Sequence, residues 1–199
     1  MSMSRHQGFT LIELMVTVIV MAIILTIAIP SFEATINSNR LTGAANELLA
    51  SLQVARLEAI RRNKRIVLCF SSDANTPNPT CAPDNAGDAS GWITFVDLNK
   101  NGMYDDGGPA LLRTTTVHDT VNVLASSNIP GKVRVMFRSD GFARDSAGVV
   151  LLVGAIDMCL PTRRPTENVR RISIGSGSRI SIARHDAAGS CAAPPDPTS

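Results

Sequence analysis

Aromatic residues are scarce in this chain, with one Trp, one Tyr and six Phe among 199 residues. Any core must therefore be packed with Ile, Val, Leu and Ala. Charge imbalance is missing too: Lys and Arg number 19 against 17 Asp and Glu. Whole-chain charge thus offers no basis for a nucleic-acid or membrane-surface binder, and only local clusters could supply one. The four cysteines include no Cys-x-x-Cys pair, and His6, His118 and His185 are scattered, which argues against a zinc site. No nucleophile elbow, phosphate loop or carboxylate pair with a recognisable histidine partner is present. No catalytic residue, metal or cofactor is expected.

What the chain does have is a long apolar run near its start. Residues 9–29 hold no charge except Glu13, and as a helix they reach about 31 Å, the thickness of a bilayer's hydrocarbon core. A buried core helix of that length would carry polar residues along one face, whereas here only Thr10, Glu13, Thr17 and Thr26 interrupt. The run is read as a transmembrane helix. Arg5 and His6 precede it and residues 31–39 contain no Lys or Arg, so the positive-inside rule leaves the N-terminus in the cytoplasm and sends the rest across. A cleaved secretory signal fits less well, because the run exceeds a usual h-region and Pro30 intrudes on the small residues at 28–31. Glu13 is the anomaly. A carboxylate within lipid costs about 3 kcal/mol unless neutralised, so Glu13 is a functional residue in need of a cation.

Pro30 is expected to kink or interrupt the helix, with helical patterning resuming beyond it. Leu41, Ala45, Leu48, Leu52, Ala55 and Ala59 then follow steps of four and three, one apolar stripe on an amphipathic helix running to about residue 63. Arg56, Arg61, Arg62, Lys64 and Arg65 fall at its C-terminal end, where cations complement the macrodipole. After that the period changes to two, with strands expected at 65–71, 92–97, 110–115, 121–125, 132–138, 149–154, 169–175 and 179–184. Gly175, Ser176, Gly177 and Ser178 would close the last pair as a hairpin. No helices alternate with these strands, so the class is α+β, a helix packed on a mostly antiparallel sheet. Residues 192–199, with three prolines, read as a loose tail.

Gly8, then Phe9, Thr10, Leu11, Ile12 and Glu13, then the apolar helix, resemble the class III signal of type IV pilins and type II secretion pseudopilins. That resemblance implies cleavage by a prepilin peptidase between Gly8 and Phe9 and N-methylation of the new Phe9 amine. It also gives Glu13 its cation, the Phe9 ammonium of a neighbouring subunit. Beyond the helix, residues 65–69 (RIVLC), residues 91–97 (GWITFVD) with Asn99 and Gly102, then Leu111, Leu112, Arg113, Phe137 and Gly141, resemble the globular domain of the GspH/FimT group of minor pilins and pseudopilins. The implied organisation is a leader at 1–8, a transmembrane helix at 9–29, an amphipathic helix at 30–63, a β-rich periplasmic domain at 64–191 and a flexible tail at 192–199. The implied role is non-enzymatic: helping to initiate assembly, or cap the tip, of a type II secretion pseudopilus or a type IV pilus. Implied partners are other pilins of the filament, the prepilin peptidase and the inner-membrane assembly platform, with the chain anchored in the bacterial inner membrane.

Four cysteines in a domain delivered to the periplasm point to disulfides, with three connectivities open. The expected one joins Cys69 to Cys81 and Cys159 to Cys191. Asp97, Asn99, Asn101 and Gly102 match the start of an EF-hand-like calcium loop, with Asp105 at its ninth position, but Gly108 stands where a bidentate Glu is needed. A hairpin connection using Asn and Gly is the better reading. Near the C-terminus Arg163, Arg164, Arg170, Arg171, Arg179 and Arg184 outnumber Glu167 and Asp186. Alternation puts Arg171, Ser173, Arg179 and Ser181 on the outer face if Ile172, Ile174, Ile180 and Ile182 face the core. DNA binding through Arg170, Arg171, Arg179 and Arg184 is the alternative function. The Gly-Arg-x-Arg motif of some FimT-like pilins is not met, however, and no aromatics interleave to stack on bases.

Overall fold

The computed structural model describes residues 9–87, 89–104 and 111–198. The leader with Gly8, and Asp105 and Gly108 of the calcium-like loop, lie outside the described residues.

A single helix, α1 (Leu11–Arg62), organises the molecule. Its 52 residues make a rod about 78 Å long. Thr10 caps the N-terminus in an extended conformation, its hydroxyl accepting the Glu13 N–H at 3.3 Å. Asn63 ends the helix in the left-handed region at φ 51°, donating its N–H back to the Ala59 and Ile60 carbonyls. Just before that end, hydrogen bonds from Arg61 and Arg62 hold the Glu58 carboxyl down from 4.5 to about 2. Of the kink or interruption expected at Pro30, the interruption does not occur: α1 runs through it as one element. Proline's missing N–H there costs the helix one backbone hydrogen bond.

The stripe Leu41, Ala45, Leu48, Leu52, Ala55 and Ala59 is buried throughout. Each of its leucines contributes about 2 kcal/mol by leaving water. The stripe packs not on one sheet, as expected, but across two. The first contains β1 (Ile66–Ser71), β2 (Gly91–Val96), β3 (Leu111–Thr116), β5 (Arg134–Phe137) and β6 (Ala143–Arg144), in the order β3-β2-β1-β5-β6. The second contains β4 (Asn122–Ala125), β7 (Gly154–Cys159), β8 (Val169–Ile174) and β9 (Ile180–His185), in the order β4-β7-β8-β9. Every named pairing is antiparallel.

β1 and β2 are buried on both faces. Leu68, Phe70 and Trp92 belong to the cluster beneath α1, while Val67, Cys69, Ile93, Phe95 and Met136 form a second cluster on the far side. Cys81 and Tyr104 cover that second cluster, Cys81 bonded to Cys69 and Tyr104 tilted against Phe95 at 5.4 Å.

The strand expected at 149–154 is misplaced. Val149 and Val150 are exposed, Leu151 makes only an isolated bridge to Arg144, and the strand proper is β7. β7 was hard to see because Asp157 lies in its middle. That carboxylate is buried and directly opposite Arg171 of β8, whose guanidinium grips it through two hydrogen bonds of 2.8 Å. β6, only two residues long, was not anticipated.

The tail is corrected as well. Pro194 is buried, and the Asp196 carboxylate accepts from the Asn128 N–H at 2.9 Å and from the Ser127 hydroxyl. The second disulfide joins Cys159 to Cys191 across 32 residues of chain and ties this tail to β7. Closing a loop of that length removes enough unfolded-state entropy for about 3–4 kcal/mol. Replacing both Cys159 and Cys191 with Ser is expected to lower unfolding stability by about that amount, read from urea unfolding as a lower midpoint with a steeper slope, because the freed unfolded chain exposes more surface.

Candidate assembly surface

Two features of α1 stand out once the domain is in place. The first is its N-terminal end. None of the apolar stretch long enough to cross a membrane is buried by the domain; Phe9 is 85% and Leu11 77% exposed. Thr10 at the cap and Glu13 three residues later form the Ser/Thr-x-x-Glu pattern of a capping box. Glu13 is also the acid in the first turn, where the helix dipole favours negative charge. This local role was not recognised in the sequence, although the T-x-x-E spacing carried it.

The second feature was also missed. Directly opposite the buried stripe, Phe32, Ile36, Asn39, Gly43, Asn46, Ala50, Gln53 and Leu57 recur at alternating steps of four and three, and all are exposed. They make a face about 37 Å long that carries no charge, apolar or small positions alternating with amides. It continues the membrane-length run. Three neighbouring charges are engaged by the domain instead: Glu33 lies 3.4 Å from Arg164, Glu47 lies 2.6 Å from Arg113, and Arg56 donates to the Ser178 carbonyl at 3.2 Å. Phe32, Ile36 and Leu57 left in water favour contact with another surface. Small residues at Gly43 and Ala50 leave room for a second helix to approach closely, and amides at 39, 46 and 53 can hydrogen-bond across such a pair.

The arginines expected to gather on the last hairpin do not share one surface. Arg170 and Arg184 are cross-strand partners, on the opposite face from Arg171. Arg170 is buried beneath α1. Its guanidinium donates to Ser38 Oγ at 3.0 Å, Thr42 Oγ1 at 3.4 Å and the carbonyls of Glu167 and Val169 at 2.9 and 3.2 Å. Burial lowers its pKa, Arg184 lowers it further and Glu167 opposes. It is a clamp between helix and sheet. Arg171 is consumed by Asp157, whose hydrogen bonds raise its pKa. Arg184 lies 3.5 Å from Glu167, and Arg179 is exposed. Ile172 and Ile174 are buried, with Ile180 and Ile182 packed against the same core.

In the calcium-like loop one Asp97 oxygen and the side-chain oxygens of Asn99 and Asn101 serve the turn. Asp97 Oδ2 accepts the Gly102 N–H at 3.1 Å and lies 2.9 Å from Arg65 Nε. Asn99 and Asn101 each accept the N–H two residues ahead. Lys100 and Gly102 take positive φ, 64° and 74°. Among the described residues no group of three or more His, Cys, Asp and Glu is placed to hold a metal.

A membrane-length helix carrying an N-terminal methylation motif and capped by a disulfide-tied β-domain defines a type IV pilin-like chain. A family model for the prokaryotic N-terminal methylation motif matches residues 3–29, and one for type II transport protein GspH matches residues 44–178. The chain belongs to the GspH family. Pilin-like protein PilA1 of Thermus thermophilus is 33% identical over 102 residues, which are 51% of this chain and 55% of that protein. The chain thus spans about half the length of the curated relative it matches. Among solved structures, the minor pilin FimU of Pseudomonas aeruginosa aligns with a TM-score of 0.47 and 22% identity, over 72% of this chain and 92% of its own. The minor pseudopilin EpsH of the Vibrio cholerae type 2 secretion system aligns at 0.49 and 10%, over 73% and 97%.

Proposed function

We propose that this chain is a minor subunit of a type IV filament machine, acting as a structural part that initiates or caps a type II secretion pseudopilus or a related pilus. The observation that carries this reading is the double-faced helix: one apolar stripe is buried by the chain's own domain, the uncharged face opposite it stays exposed, and none of the membrane-length stretch below is buried. A filament of side-by-side helices would cover both.

In this reading the leader is cut between Gly8 and Phe9 on the cytoplasmic side and the Phe9 amine is methylated. The run 9–29 holds the subunit in the inner membrane with the β-domain in the periplasm. Glu13 is then the uncompensated charge in the bilayer. An ion pair in low dielectric offsets its own desolvation only with both partners present, so pairing with a neighbour's Phe9 ammonium makes docking more favourable than remaining alone in lipid. Glu13 lies four residues beyond Phe9, so such a pair would stagger adjacent subunits by about 6 Å along the helix. The prepilin peptidase, the assembly platform and the other pilins are the partners this requires. The family's description as a type II transport protein favours the secretion machine.

Intact-mass measurement of the chain purified from its native membrane tests the first step. The expected mass is that of a chain beginning at Phe9 plus one methyl group. A chain still beginning at Met1 would overturn the proposal.

A further inference from the structure

The connection between β7 and β8 is held at one end of the β-domain in a way that gives it a second surface to meet. It reads Pro161, Thr162, Arg163, Arg164, Pro165, Thr166, and no acid occurs between Asp157 and Glu167. Its base is rigid. Asn168, fully buried, donates to the Leu160 carbonyl at 2.8 Å and the Ser190 carbonyl at 3.2 Å, and accepts the Ala187 N–H at 2.9 Å. The Cys159–Cys191 disulfide sits beside it.

From that base the loop reaches the lower helix. Asn37 Nδ2 donates to the Arg164 carbonyl at 2.8 Å, and Arg164 Nη1 extends to within 3.4 Å of Glu33 Oε2. Glu33 is four residues past Ile29, where the apolar run ends, a distance of about 6 Å along the axis. The headgroup layer on one side of a bilayer is about 5–7 Å thick. With residues 9–29 spanning, the Arg164 guanidinium lies at the level of the lipid phosphates, with exposed Arg163 beside it.

The other charges at this end do not displace that pair. Arg40 is eleven residues beyond Ile29, about 16 Å up the helix and past a Debye length. Asp119 lies 2.7 Å from His118 and Glu167 lies 3.5 Å from Arg184. Asp186 accepts the Ala188 N–H at 2.8 Å. Glu33 is the acid that shares Arg164.

We infer that Arg163 and Arg164 bind the phosphate groups of anionic phospholipid in the membrane the chain spans, laying the β-domain against the bilayer before the subunit enters a filament. The inference rests on the membrane-spanning reading of residues 9–29. Guanidinium groups suit phosphate oxygens through paired N–H donors, and a juxtamembrane cation gains from an anionic surface only within a Debye length. The contact is therefore local, weak and reversible, as a subunit that must later leave the membrane requires.

The test uses the full chain in nanodiscs of phosphatidylcholine alone or with about a third phosphatidylglycerol, each doped with headgroup-spin-labelled lipid. Paramagnetic broadening of the amides at 162–164 is expected to be at least about threefold greater in the anionic discs and to vanish in about 1 M salt. The double variant R163Q/R164Q is expected to abolish the difference, while E33Q, which frees Arg164 from its acid, should enlarge it. Equal broadening in the two lipids, or anionic broadening that survives the double variant, would overturn the lipid contact. Slow hydrogen exchange at residues 11–29 in both discs reports insertion. Rapid exchange there would instead remove the membrane reading on which the contact depends.

Discussion

Glu13→Gln is expected to cut incorporation of the chain into filaments at least about tenfold, measured as the fraction co-purifying with sheared fibres, while leaving its level in the membrane unchanged. Glu13 has two candidate jobs, and this substitution separates them. As the third helical residue after Thr10, it stands at the capping-box position, which an amide can fill as well, and its charge complements the helix dipole for about 0.3–1 kcal/mol, which an amide gives up. As the lone acid in a membrane-length run, it needs a cation, and only the charge can supply that attraction. A tenfold loss corresponds to about 1.4 kcal/mol, modest beside the few kcal/mol needed to hold a carboxylate in lipid. Glu13→Ala removes both roles and should do no better. Normal assembly of the Gln variant with failure of the Ala variant would assign Glu13 to capping and end the ion-pair account.

Trp92→Ala should lower unfolding stability by about 4–6 kcal/mol, read from urea unfolding of the detergent-solubilised chain by far-ultraviolet circular dichroism with disulfides intact. Trp92 is fully buried in β2, between Phe70 of β1 and Thr115 of β3, and its indole N–H donates to Ser51 Oγ of α1 at 2.9 Å. Removing it opens a cavity where helix meets sheet, which for Trp costs about 3–5 kcal/mol, and strands a fully buried hydroxyl for about 1 kcal/mol more. Domains have only about 5–15 kcal/mol in total, so the variant should be close to unfolding. Leu57→Ala, on the uncharged outer face at 63% exposure, is the contrast. It should shift stability by less than about 0.5 kcal/mol while reducing assembly, because its apolar surface is left for another molecule.

How far the fold was legible depended on whether the relevant contacts were local in sequence. The buried stripe from Leu41 to Ala59 followed from a 3.6-residue period alone, and the structure buries each member. β1 and β2 were placed to within a residue at each end because Gly, Pro and Asn segments bound their apolar runs. The apolar run from Val149 through Leu152 pointed to a strand five residues too early, since a continuous run has no period to fix its register. Asp157 made the true strand look polar, and its neutralising Arg171 lies fourteen residues away on another strand. Arg170 and Arg171 are adjacent in sequence, yet one is locked under the helix and the other against Asp157.

The amino-acid order by itself determined the membrane-length rod, the acid near its start, the stripe that meets the domain and the α+β class, because each is a matter of composition or period within one segment. The tertiary structure alone decided the division into two sheets, the pinning of the tail by Asp196 and the fate of each arginine. It also decided that α1 keeps an uncharged face uncovered opposite its buried stripe. These are questions of which surface another segment covers, and that is settled by contacts between residues far apart in the chain, where no local pattern reaches.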